Sequence, residues 1–409
     1  MNIAVIGGGA AGMMCTAFAA QEGAAVTLFE KNDVLGRKLL ITGKGRCNLT
    51  NNCTAREFIE NVPGGGRFLY SAINAFSSSD TMDFFERLGV PLKTERGRRV
   101  FPVSDKSCDI RNALGDYIRS FPYVSIIKGE VKSIKKEKHG FSVGFNGKNT
   151  HFDRVVIATG GMSYPLTGST GDGYRFARDF GHSVVAPKAS LVPLTSPDKV
   201  CAELMGLSLK NVSVKFYRDD EKKTVVEDFG EMMFTHFGVT GPLILSASAH
   251  LRDITEGKLY RLCIDLKPAL DTAALDRRIL SDFEKFKNKD FDNSLSELLP
   301  KSIIPVIVRN SGISPHKKVN EITRAERAAL TDAIKNFSIT VNGTRPIEEA
   351  IVTKGGVSLK EIDPKTMQSK LAEGLYFAGE VIDCDAYTGG YNLQIAFSTA
   401  YLAAVNAAK

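Results

Sequence analysis

The sequence predicts an α/β protein built on a Rossmann-like parallel sheet, and three observations carry this prediction. The apolar run Asn2–Ile6 ends in a glycine-rich turn, Gly7–Gly12, which leads into a stretch of small residues with helical character. A second apolar run, Ala25–Phe29, follows, so the segment has the order of a βαβ unit. Further apolar runs, such as Arg154–Ala158, alternate with helical patterns along the chain, which is typical of α/β proteins.

The glycine-rich turn has the spacing of a dinucleotide-binding motif. Gly7 permits a tight turn, Gly9 lets the backbone approach a pyrophosphate, and Gly12 allows the helix to pack closely on the strand. The start of the helix faces the phosphates. Glu30 ends the second strand, where its carboxylate can accept hydrogen bonds from the ribose hydroxyls. Because strand, glycines, helix, second strand and acid occur in order, we expect a bound dinucleotide.

Length and composition exclude several classes of protein. The chain has 409 residues, 43% hydrophobic and 24% charged, which excludes a disulfide-stapled miniprotein and a disordered chain. The net charge of +7 suits a phosphate-bearing ligand but is small for a dedicated nucleic-acid binder. The seven cysteines form no C-x-x-C pair and the histidines share no ligand spacing, so we expect no metal and a cytoplasmic location. No long apolar run predicts a membrane span.

Residue patterns also predict the order of elements after the first βαβ unit. Helical patterns cover Thr81–Leu88 and Asp109–Arg119, and antiparallel strands are expected near Ser125–Lys136 and Gly140–Gly144. Strand patterns interrupted by turns follow from about residue 190. A charged helical region comes next and includes Asp276–Lys287 and Arg324–Ala333; the strand Phe337–Val341 and a C-terminal helix over Asn392–Ala408 follow it.

The change of pattern predicts a discontinuous first domain. We assign residues 1–190 and 345–409 to a dinucleotide-binding domain, and residues 191–269 with 335–344 to a β-rich insert. Residues 270–334 form a predicted helical subdomain. The two ends of the chain are therefore expected to meet in one α/β domain.

Three further segments favour FAD over a nicotinamide dinucleotide. Val155–Gly161, a strand that runs into a Thr-Gly-Gly turn, resembles a segment of flavoproteins with two dinucleotide-binding domains that passes near the adenine half of FAD. Gly379–Asp383, after a strand-like run near the C-terminus, resembles the C-terminal FAD segment of the same proteins. The segment Gly389–Asn392 opens the last helix, whose N-terminal N–H groups and positive dipole end would favour the negative charge of a reduced flavin. No second complete strand-glycine-helix unit follows, so a nicotinamide would have to dock transiently.

The chain is similar to the BaiN-like and aminoacetone-oxidase-like FAD-dependent oxidoreductases. The residues that carry this resemblance span most of the chain: Gly36–Asn51, Arg99–Pro102, Ser104–Lys106, Phe234–Pro242 and Gly379–Asn392. The resemblance implies a glutathione-reductase-like FAD domain with β-barrel-like and helical insert domains. It also implies that non-covalent FAD contacts a set of residues from both ends of the chain: Gly7, Gly9, Ala10, Ala11, Gly12, Glu30, Lys31, Arg37, Lys38, Gly45, Arg46, Cys47, Asn48, Val131, Thr159, Gly160, Gly379, Glu380, Asp383, Gly390, Tyr391 and Asn392.

The activity that this resemblance implies is hydride exchange between flavin N5 and a small organic substrate. NAD(P)H or oxygen would serve the other half-reaction, and the sequence leaves both open. Two alternatives also stay open, a flavin-binding redox sensor with little turnover and an RNA-associated flavoprotein. Nucleic acid is the weaker expectation, since the sequence has no basic stripe interleaved with aromatic residues. The oligomeric state is not predicted.

Few side chains qualify as proton donors. We single out His236, in the segment Phe234–Gly238, and Tyr391 as catalytic candidates, although each is also a common structural residue. Cys47 has no nearby cysteine to resolve a disulfide, so packing is a better explanation for it than redox chemistry. Arg98 and Arg99 could face an anionic substrate or simply form a solvated basic turn.

Overall fold

A computed structural model describes residues 1–218, 223–251, 254, 257–286 and 288–409 of the chain. These residues form two compact units. The first unit combines Met1–Ser190 with Pro346–Lys409, and the second comprises Leu191–Arg345.

The first unit is organised around a parallel five-stranded sheet. The strands of this sheet are β1 (Asn2–Ile6), β2 (Ala25–Glu30), β6 (Val124–Lys128), β10 (Arg154–Ile157) and β20 (Leu375–Phe377). They lie in the order β20-β10-β1-β2-β6, and every neighbouring pair is parallel. Because helices and loops cover both faces of a parallel sheet, its inner strands read as unbroken apolar runs. The α/β fold predicted from the sequence is confirmed.

Eight helices of the described residues belong to the first unit. They are α1 (Ala10–Gln21), α2 (Arg37–Ile41), α3 (Ala55–Glu60), α4 (Tyr70–Ala75), α5 (Ser78–Arg87), α6 (Ser107–Arg119), α7 (Asp172–Asp179) and α14 (Tyr391–Ala407). The first and last helices, α1 and α14, are rich in alanine, buried along most of their length and packed against each other. Helix α5 begins earlier than predicted because Ser77 and Asp80 form a capping box.

Three smaller antiparallel sheets complete this unit. The first has β3 (Thr50–Asn51), β4 (Leu92–Glu95) and β5 (Arg99–Pro102), the second has β7 (Val131–Lys136), β8 (Phe141–Phe145) and β9 (Lys148–Phe152), and the third pairs β11 (Val184–Ser190) with β19 (Val352–Val357). The expectation of antiparallel pairing across Ser125–Lys136 was wrong for its first half. Residues 124–128 join the parallel sheet beside β2, and the Gly129 N–H bonds to the Glu30 carbonyl before the chain enters the second sheet.

The second unit holds a seven-stranded antiparallel sheet and the helical region. Its strands are β12 (Leu194–Thr195), β13 (Ser208–Arg218), β14 (Thr224–Thr235), β15 (Gly238–Thr240), β16 (Tyr260–Asp265), β17 (Phe337–Val341) and β18 (Gly343–Thr344), and its helices are α8 (Val200–Glu203), α9 (Pro242–Ser248), α10 (Thr272–Lys285), α11 (Phe291–Ser294), α12 (Ile304–Ser311) and α13 (Arg324–Lys335). Strand β17 returns to the sheet beside β16. The predicted helix Asp276–Lys287 ends at Lys285, and Lys287 lies outside the described residues.

Both sets of elements in the second unit bury side chains in one apolar core. Phe216 and Phe234 from the sheet belong to the same cluster as Ile279, Ile307 and Leu330 from the helices. The division of this unit into a β-rich insert and a separate helical subdomain stays a prediction.

None of the helices in the described part of the chain has the length and apolar character needed to cross a bilayer.

Candidate functional site

The turn between β1 and α1 requires glycine at positions 7 and 12, where a side chain would overlap neighbouring backbone, but has free space at position 9. Gly7 has a φ of +102°, and a Cβ there would lie 2.6 Å from the Ala158 carbonyl oxygen. A Cβ on Gly12 would lie 1.7 Å from the Gly7 carbonyl oxygen, so helix and turn touch backbone to backbone. At Gly9 no atom lies within 4 Å of the Cβ position. The turn therefore packs tightly against the sheet and leaves open space beside Gly9.

Helix α1 starts at this open space without a side-chain cap. Gly9 is the N-cap residue, and no side chain accepts a hydrogen bond from the first turn of the helix. The leading N–H groups, including those of Ala10 and Ala11, have no partner within the helix. Unpaired N–H groups and the positive dipole end make a helix N-terminus an anion site, as a diphosphate requires.

Glu30 lies at the end of β2, beside the same turn. Its Oε2 accepts a hydrogen bond from the Gly8 N–H at 2.8 Å, and its Oε1 accepts two from Asn32, from the backbone and the side-chain amide, both at 2.7 Å. A carboxylate offers about four lone-pair positions, so one remains for a ribose hydroxyl. The carboxylate is thus fixed in place and still able to bind.

Val131, another predicted FAD contact, is the first residue of β7 and is buried.

Lys31 and Lys38 are both engaged in ion pairs. Lys31 Nζ contacts Asp172 Oδ2 at 2.6 Å and Thr170 Oγ1 at 2.5 Å, which joins the end of β2 to the turn before α7. Lys38 Nζ lies 2.7 Å from Glu380 Oε2. Arg37 is exposed, with a contact of 3.4 Å to the Asn32 side chain. The charge of Lys38 is therefore shared with a carboxylate, and direct contact of these cations with the cofactor stays a prediction.

Glu380 connects segments that are far apart in the sequence. Its Oε2 binds Lys38, and its Oε1 accepts hydrogen bonds from the Thr353 N–H at 2.7 Å and the Ser163 hydroxyl at 3.0 Å. The neighbouring Gly379 is equally constrained, because a Cβ there would lie 2.7 Å from the Cβ of Ala11 in α1. The two ends of the chain thus meet at the predicted site.

Strand β10 ends in the Thr-Gly-Gly turn. Gly160 has a φ of +75°. The Thr159 hydroxyl is buried and has no hydrogen-bond partner. Gly173 packs directly on this hydroxyl, which leaves it almost no accessible surface, so it marks tight packing between the turn and the start of α7.

The loop before β3 has a strained backbone. Gly43, Lys44, Gly45 and Cys47 all have positive φ angles, which is costly for the two residues that are not glycine. Burial raises the pKa of the Cys47 thiol to about 12, against the opposing hydrogen bond with Thr42. The thiol therefore stays protonated and packed, in agreement with the structural explanation for Cys47.

Two other side chains of this loop, Arg46 and Asn48, are bonded to neighbouring residues of the protein. Arg46 pairs with Glu95 and Asp105, each at 2.5 Å, and its guanidinium lies over the Phe101 ring at 4.2 Å. Asn48, with its amide oriented to satisfy both neighbours, accepts from the Gly390 N–H at 3.0 Å and donates to the Thr50 carbonyl. The predicted cofactor contacts of Gly45, Arg46, Cys47 and Asn48 therefore depend on the backbone of the loop more than on these side chains.

The start of α14 is held close to the same loop. Gly390 has a φ of +100°, and a Cβ there would lie 2.3 Å from the backbone of Thr50. Asn51 donates from its amide to the Gly389 carbonyl at 3.1 Å and to the Gly97 carbonyl at 3.0 Å. The side chain of Asn392 is occupied by the backbone of Ala386. Asn48 takes the N–H of the N-cap residue Gly390, and the next N–H groups, those of Tyr391 and Asn392, have no partner within the helix.

Tyr391 is less suited to donate protons than the sequence suggests. Its ring packs edge-on against Phe58 at 5.3 Å. Burial raises the pKa of its phenol to about 12, and Cys53 adds to the shift while Arg98 opposes it. A role for Tyr391 in catalysis stays a prediction.

The remaining candidates, His236, Arg98 and Arg99, have contacts that do not connect them with the glycine turn at the start of α1. His236 belongs to the second unit, on the exposed turn between β14 and β15, where its ring meets that of Phe237 at 5.1 Å. Arg98 pairs with Glu57 at 2.8 Å, and Arg99 donates to the Arg96 carbonyl. Among the described residues no three His, Cys, Asp or Glu side chains are grouped to hold a metal ion.

Sequence reasoning missed the segment Thr353–Gly356 in β19. The Thr353 hydroxyl accepts hydrogen bonds from the N–H groups of Met162 and Ser163 at 2.8 and 3.0 Å. A Cβ on Gly356 would lie 2.6 Å from the Val381 carbonyl oxygen. The signal was a Lys-Gly-Gly triplet inside a strand, where glycine marks a close approach of another backbone.

Lys354 lies near Asp383 and Asp385, two aspartates whose pKa values are shifted by their surroundings. Burial raises the pKa of Asp383, against the opposing effects of Lys354 and the Gly355 N–H. Burial also raises the pKa of Asp385, whose Oδ2 accepts from the Ser190 hydroxyl at 2.5 Å. Acids with raised pKa values cluster at functional sites.

The residues of the first unit fit FAD. The open space at Gly9, the start of α1 and the remaining acceptor position on Glu30 suit a diphosphate and a ribose. The fold, together with the similarity to known proteins described next, makes this chain an FAD-dependent oxidoreductase, and the contact of these residues with FAD stays a prediction.

Comparison with known proteins identifies the family. The model of the HI0933-like protein Rossmann domain family matches residues 1–406, and the chain belongs to this family. It is 31% identical over 412 residues to a 3-dehydro-bile acid delta(4,6)-reductase of Clostridium scindens, covering 100% of this chain and 99% of that protein. It is 32% identical over 401 residues to a ribosomal RNA dihydrouridine synthase of Escherichia coli, covering 98% and 96% respectively.

A solved structure agrees on the fold. The 3-ketosteroid-delta4-(5alpha)-dehydrogenase of Rhodococcus jostii aligns with a TM-score of 0.53 at 15% identity, covering 100% of this chain and 96% of that one. At this identity the likeness concerns the fold alone.

Proposed function

We propose that this protein is an FAD-dependent reductase of a carbon–carbon double bond conjugated with a carbonyl group, with NAD(P)H as the electron donor. One observation carries the proposal: two relatives of about equal identity, each matched over nearly the whole chain, are named for such reductions. A delta(4,6)-reductase of a 3-dehydro bile acid saturates double bonds conjugated with a ketone. A dihydrouridine synthase saturates the double bond of uracil that is conjugated with a ring carbonyl. The two substrates share this chemical feature and little else.

The residues of the first unit support the binding half of this function. The start of α1 and the open space at Gly9 would hold the diphosphate, and Glu30 the adenosine ribose. The start of α14 would favour negative charge on the cofactor ring system. FAD, when bound, supplies hydride transfer between a pyridine nucleotide and the substrate.

The pyridine nucleotide would bind only transiently, without a binding domain of its own. The described residues contain one strand-glycine-helix unit of the dinucleotide-binding type, at Gly7–Gly12. The donor would therefore bind and leave before the substrate is reduced. The free cysteines favour a reducing compartment such as the cytoplasm, where NAD(P)H is available.

RNA is the second candidate substrate, because relatives from Escherichia coli and Haemophilus influenzae are both named ribosomal RNA dihydrouridine synthases. The turn Arg96–Arg99 carries three arginines, of which Arg98 is paired with Glu57, and Asn51 bridges this turn to the start of α14, so the arginines would meet RNA phosphates there. Phosphate contacts of this kind would make binding sensitive to salt. A small conjugated ketone makes no phosphate contacts, so its binding should not depend on salt. Competition between RNA and such a ketone for the protein would show which of the two is the substrate.

Anaerobic spectroscopy tests the proposal. We expect NADH or NADPH to bleach the flavin absorbance of the purified protein, and a conjugated enone steroid or unmodified ribosomal RNA to restore it with formation of the saturated product. Product analysis by mass spectrometry identifies which substrate is reduced. A flavin that neither pyridine nucleotide bleaches, or that only oxygen reoxidises, would contradict a reductase and favour an oxidase or a redox sensor.

A further inference from the structure

The side chain of Asn32 connects the end of β2 with the loop that precedes α7. Its amide nitrogen donates to Glu30 Oε1 at 2.7 Å and to the Thr167 carbonyl, 135 residues away, at 3.1 Å. Its Oδ1 lies 3.4 Å from Arg37 Nη1, so the amide is held with its N–H groups toward Glu30 and Thr167. Gly168, with a φ of +103°, packs directly on this amide, since a Cβ there would lie 2.4 Å from Asn32 Nδ2.

The bonds from Asn32 determine which part of the Glu30 carboxylate is left for a ligand. Glu30 Oε1 accepts from the side chain and from the backbone N–H of Asn32, both at 2.7 Å, which takes both of its lone-pair positions. Among the described residues, Glu30 Oε2 accepts only from the Gly8 N–H, at 2.8 Å. Glu30 is 9% exposed, and the open space at Gly9 begins one residue from Gly8. The free acceptor position is therefore on Oε2, the oxygen beside the glycine turn.

A carboxylate at the end of a strand can rotate unless its oxygens are held. The Asn32 amide adds a bond to Glu30 Oε1 and connects the carboxylate with the loop before α7. A second contact joins the same two segments: Lys31 Nζ lies 2.6 Å from Asp172 Oδ2 and involves no atom of Glu30. The effect of Asn32 on Glu30 can therefore be separated from its effect on the packing of the loop.

We propose that Asn32 is a positioning residue that holds the Glu30 carboxylate in the orientation in which Oε2 accepts a hydrogen bond from the adenosine ribose of FAD. This inference rests on the proposed function only in assuming that an adenine dinucleotide occupies the glycine turn. Asn32 does not touch the ribose and acts through Glu30. The local sequence does not indicate this role, because the bond to Thr167 depends on the packing of Gly168 against Asn32.

Asn32→Ala tests this assignment through its effect on one chemical group of the ligand. ADP carries the adenosine and diphosphate of FAD without the flavin, and 2′,3′-dideoxy-ADP lacks both ribose hydroxyls. Calorimetric titration of the full-length apoprotein gives a dissociation constant for each. We expect the wild type to bind ADP at least about tenfold more tightly, because the dideoxy compound loses a hydrogen bond to a charged group. In Asn32→Ala this ratio should fall to about threefold or less, because the carboxylate is no longer held toward the ribose.

Asp172→Asn provides the matched control. It removes the charge that pairs with Lys31, and so weakens the other contact between the same two segments, but leaves the bonds of Glu30 in place. The ratio of the two dissociation constants should equal that of the wild type. Glu30→Ala removes the carboxylate itself, so the ratio should fall to about one, and adding Asn32→Ala to it should change the ratio no further.

The outcomes distinguish a positioning role from a structural one. If Asn32→Ala weakens both ligands equally and keeps the ratio of the wild type, Asn32 only stabilises the loop and the assignment is wrong. It is also wrong if Asn32→Ala lowers the ratio further in the Glu30→Ala background, because Asn32 would then not act through Glu30. If the wild type binds FAD but does not prefer ADP to the dideoxy compound, this assignment fails alone. If the wild type binds neither FAD nor ADP, the proposed function fails first, and this assignment fails with it.

Discussion

Replacing Gly12 with alanine is expected to destabilise the protein by roughly 3 kcal/mol, because the new Cβ would overlap backbone rather than a movable side chain. The Cβ would lie 1.7 Å from the Gly7 carbonyl oxygen. Alanine gains about 1 kcal/mol over glycine in a helix, but the overlap requires α1 or the turn to move and so outweighs this gain. Thermal unfolding of the purified variant should occur roughly 3 to 6 °C below that of the wild type.

Gly115→Ala is the matched control for this prediction. Gly115 is also a buried glycine inside a helix, α6, but its Cβ would meet only the end of the flexible Arg119 side chain, at 3.1 Å. We expect this variant to be as stable as the wild type or more stable by up to about 1 kcal/mol. Equal stability of the Gly12 and Gly115 variants would mean that α1 does not pack on the turn as described.

Replacing Gly9 with alanine is expected to weaken FAD binding by about 100-fold, or about 2.7 kcal/mol. The reason is that a Cβ at this position would occupy the open space where the diphosphate approaches the backbone. Gly9 has a φ of −77°, which alanine adopts readily, and its Cβ would meet nothing within 4 Å. The stability of the apoprotein should therefore fall by no more than about 1 kcal/mol, the cost of alanine in place of glycine at an N-cap. Titration of the apoprotein with FAD, together with thermal unfolding, checks both parts.

The contrast between Gly9 and Gly12 is informative because the two glycines lie in the same motif. Loss of FAD affinity that exceeds the small loss of apoprotein stability is specific to a ligand that occupies the space at Gly9. If Gly9→Ala binds FAD as tightly as the wild type, the diphosphate does not lie at this turn and the proposed site is wrong.

The parts of the fold that depend on local sequence could be predicted. The first βαβ unit and the strand Arg154–Ile157 follow from short apolar runs beside glycine turns. The strand-like run before Gly379 was expected in the same α/β domain, and its pairing with β10 is a finding of the structure. The division of Ser125–Lys136 into two strands at Gly129 was missed. Both β6 and β7 have strand character, and only the pairing of β6 with β2 places them in different sheets.

Much of the candidate site depends on contacts between residues that are far apart in the sequence. Lys38 is a predicted FAD contact, and nothing in the local sequence indicated that Glu380 pairs with it. The segment around Thr353 was missed, although its hydroxyl holds two N–H groups of the Thr-Gly-Gly turn. A motif identifies residue types that suit a ligand, whereas the partners of each side chain are set by tertiary packing.

The central claim is that the first and last segments of the chain together bind one FAD molecule. The most direct test is the flavin content of the purified protein, measured by absorbance and by analysis of the flavin released on denaturation. The account predicts one non-covalent FAD for each chain, and uptake of FAD by the apoprotein to the same ratio. A colourless protein that takes up no FAD at micromolar concentrations would contradict it.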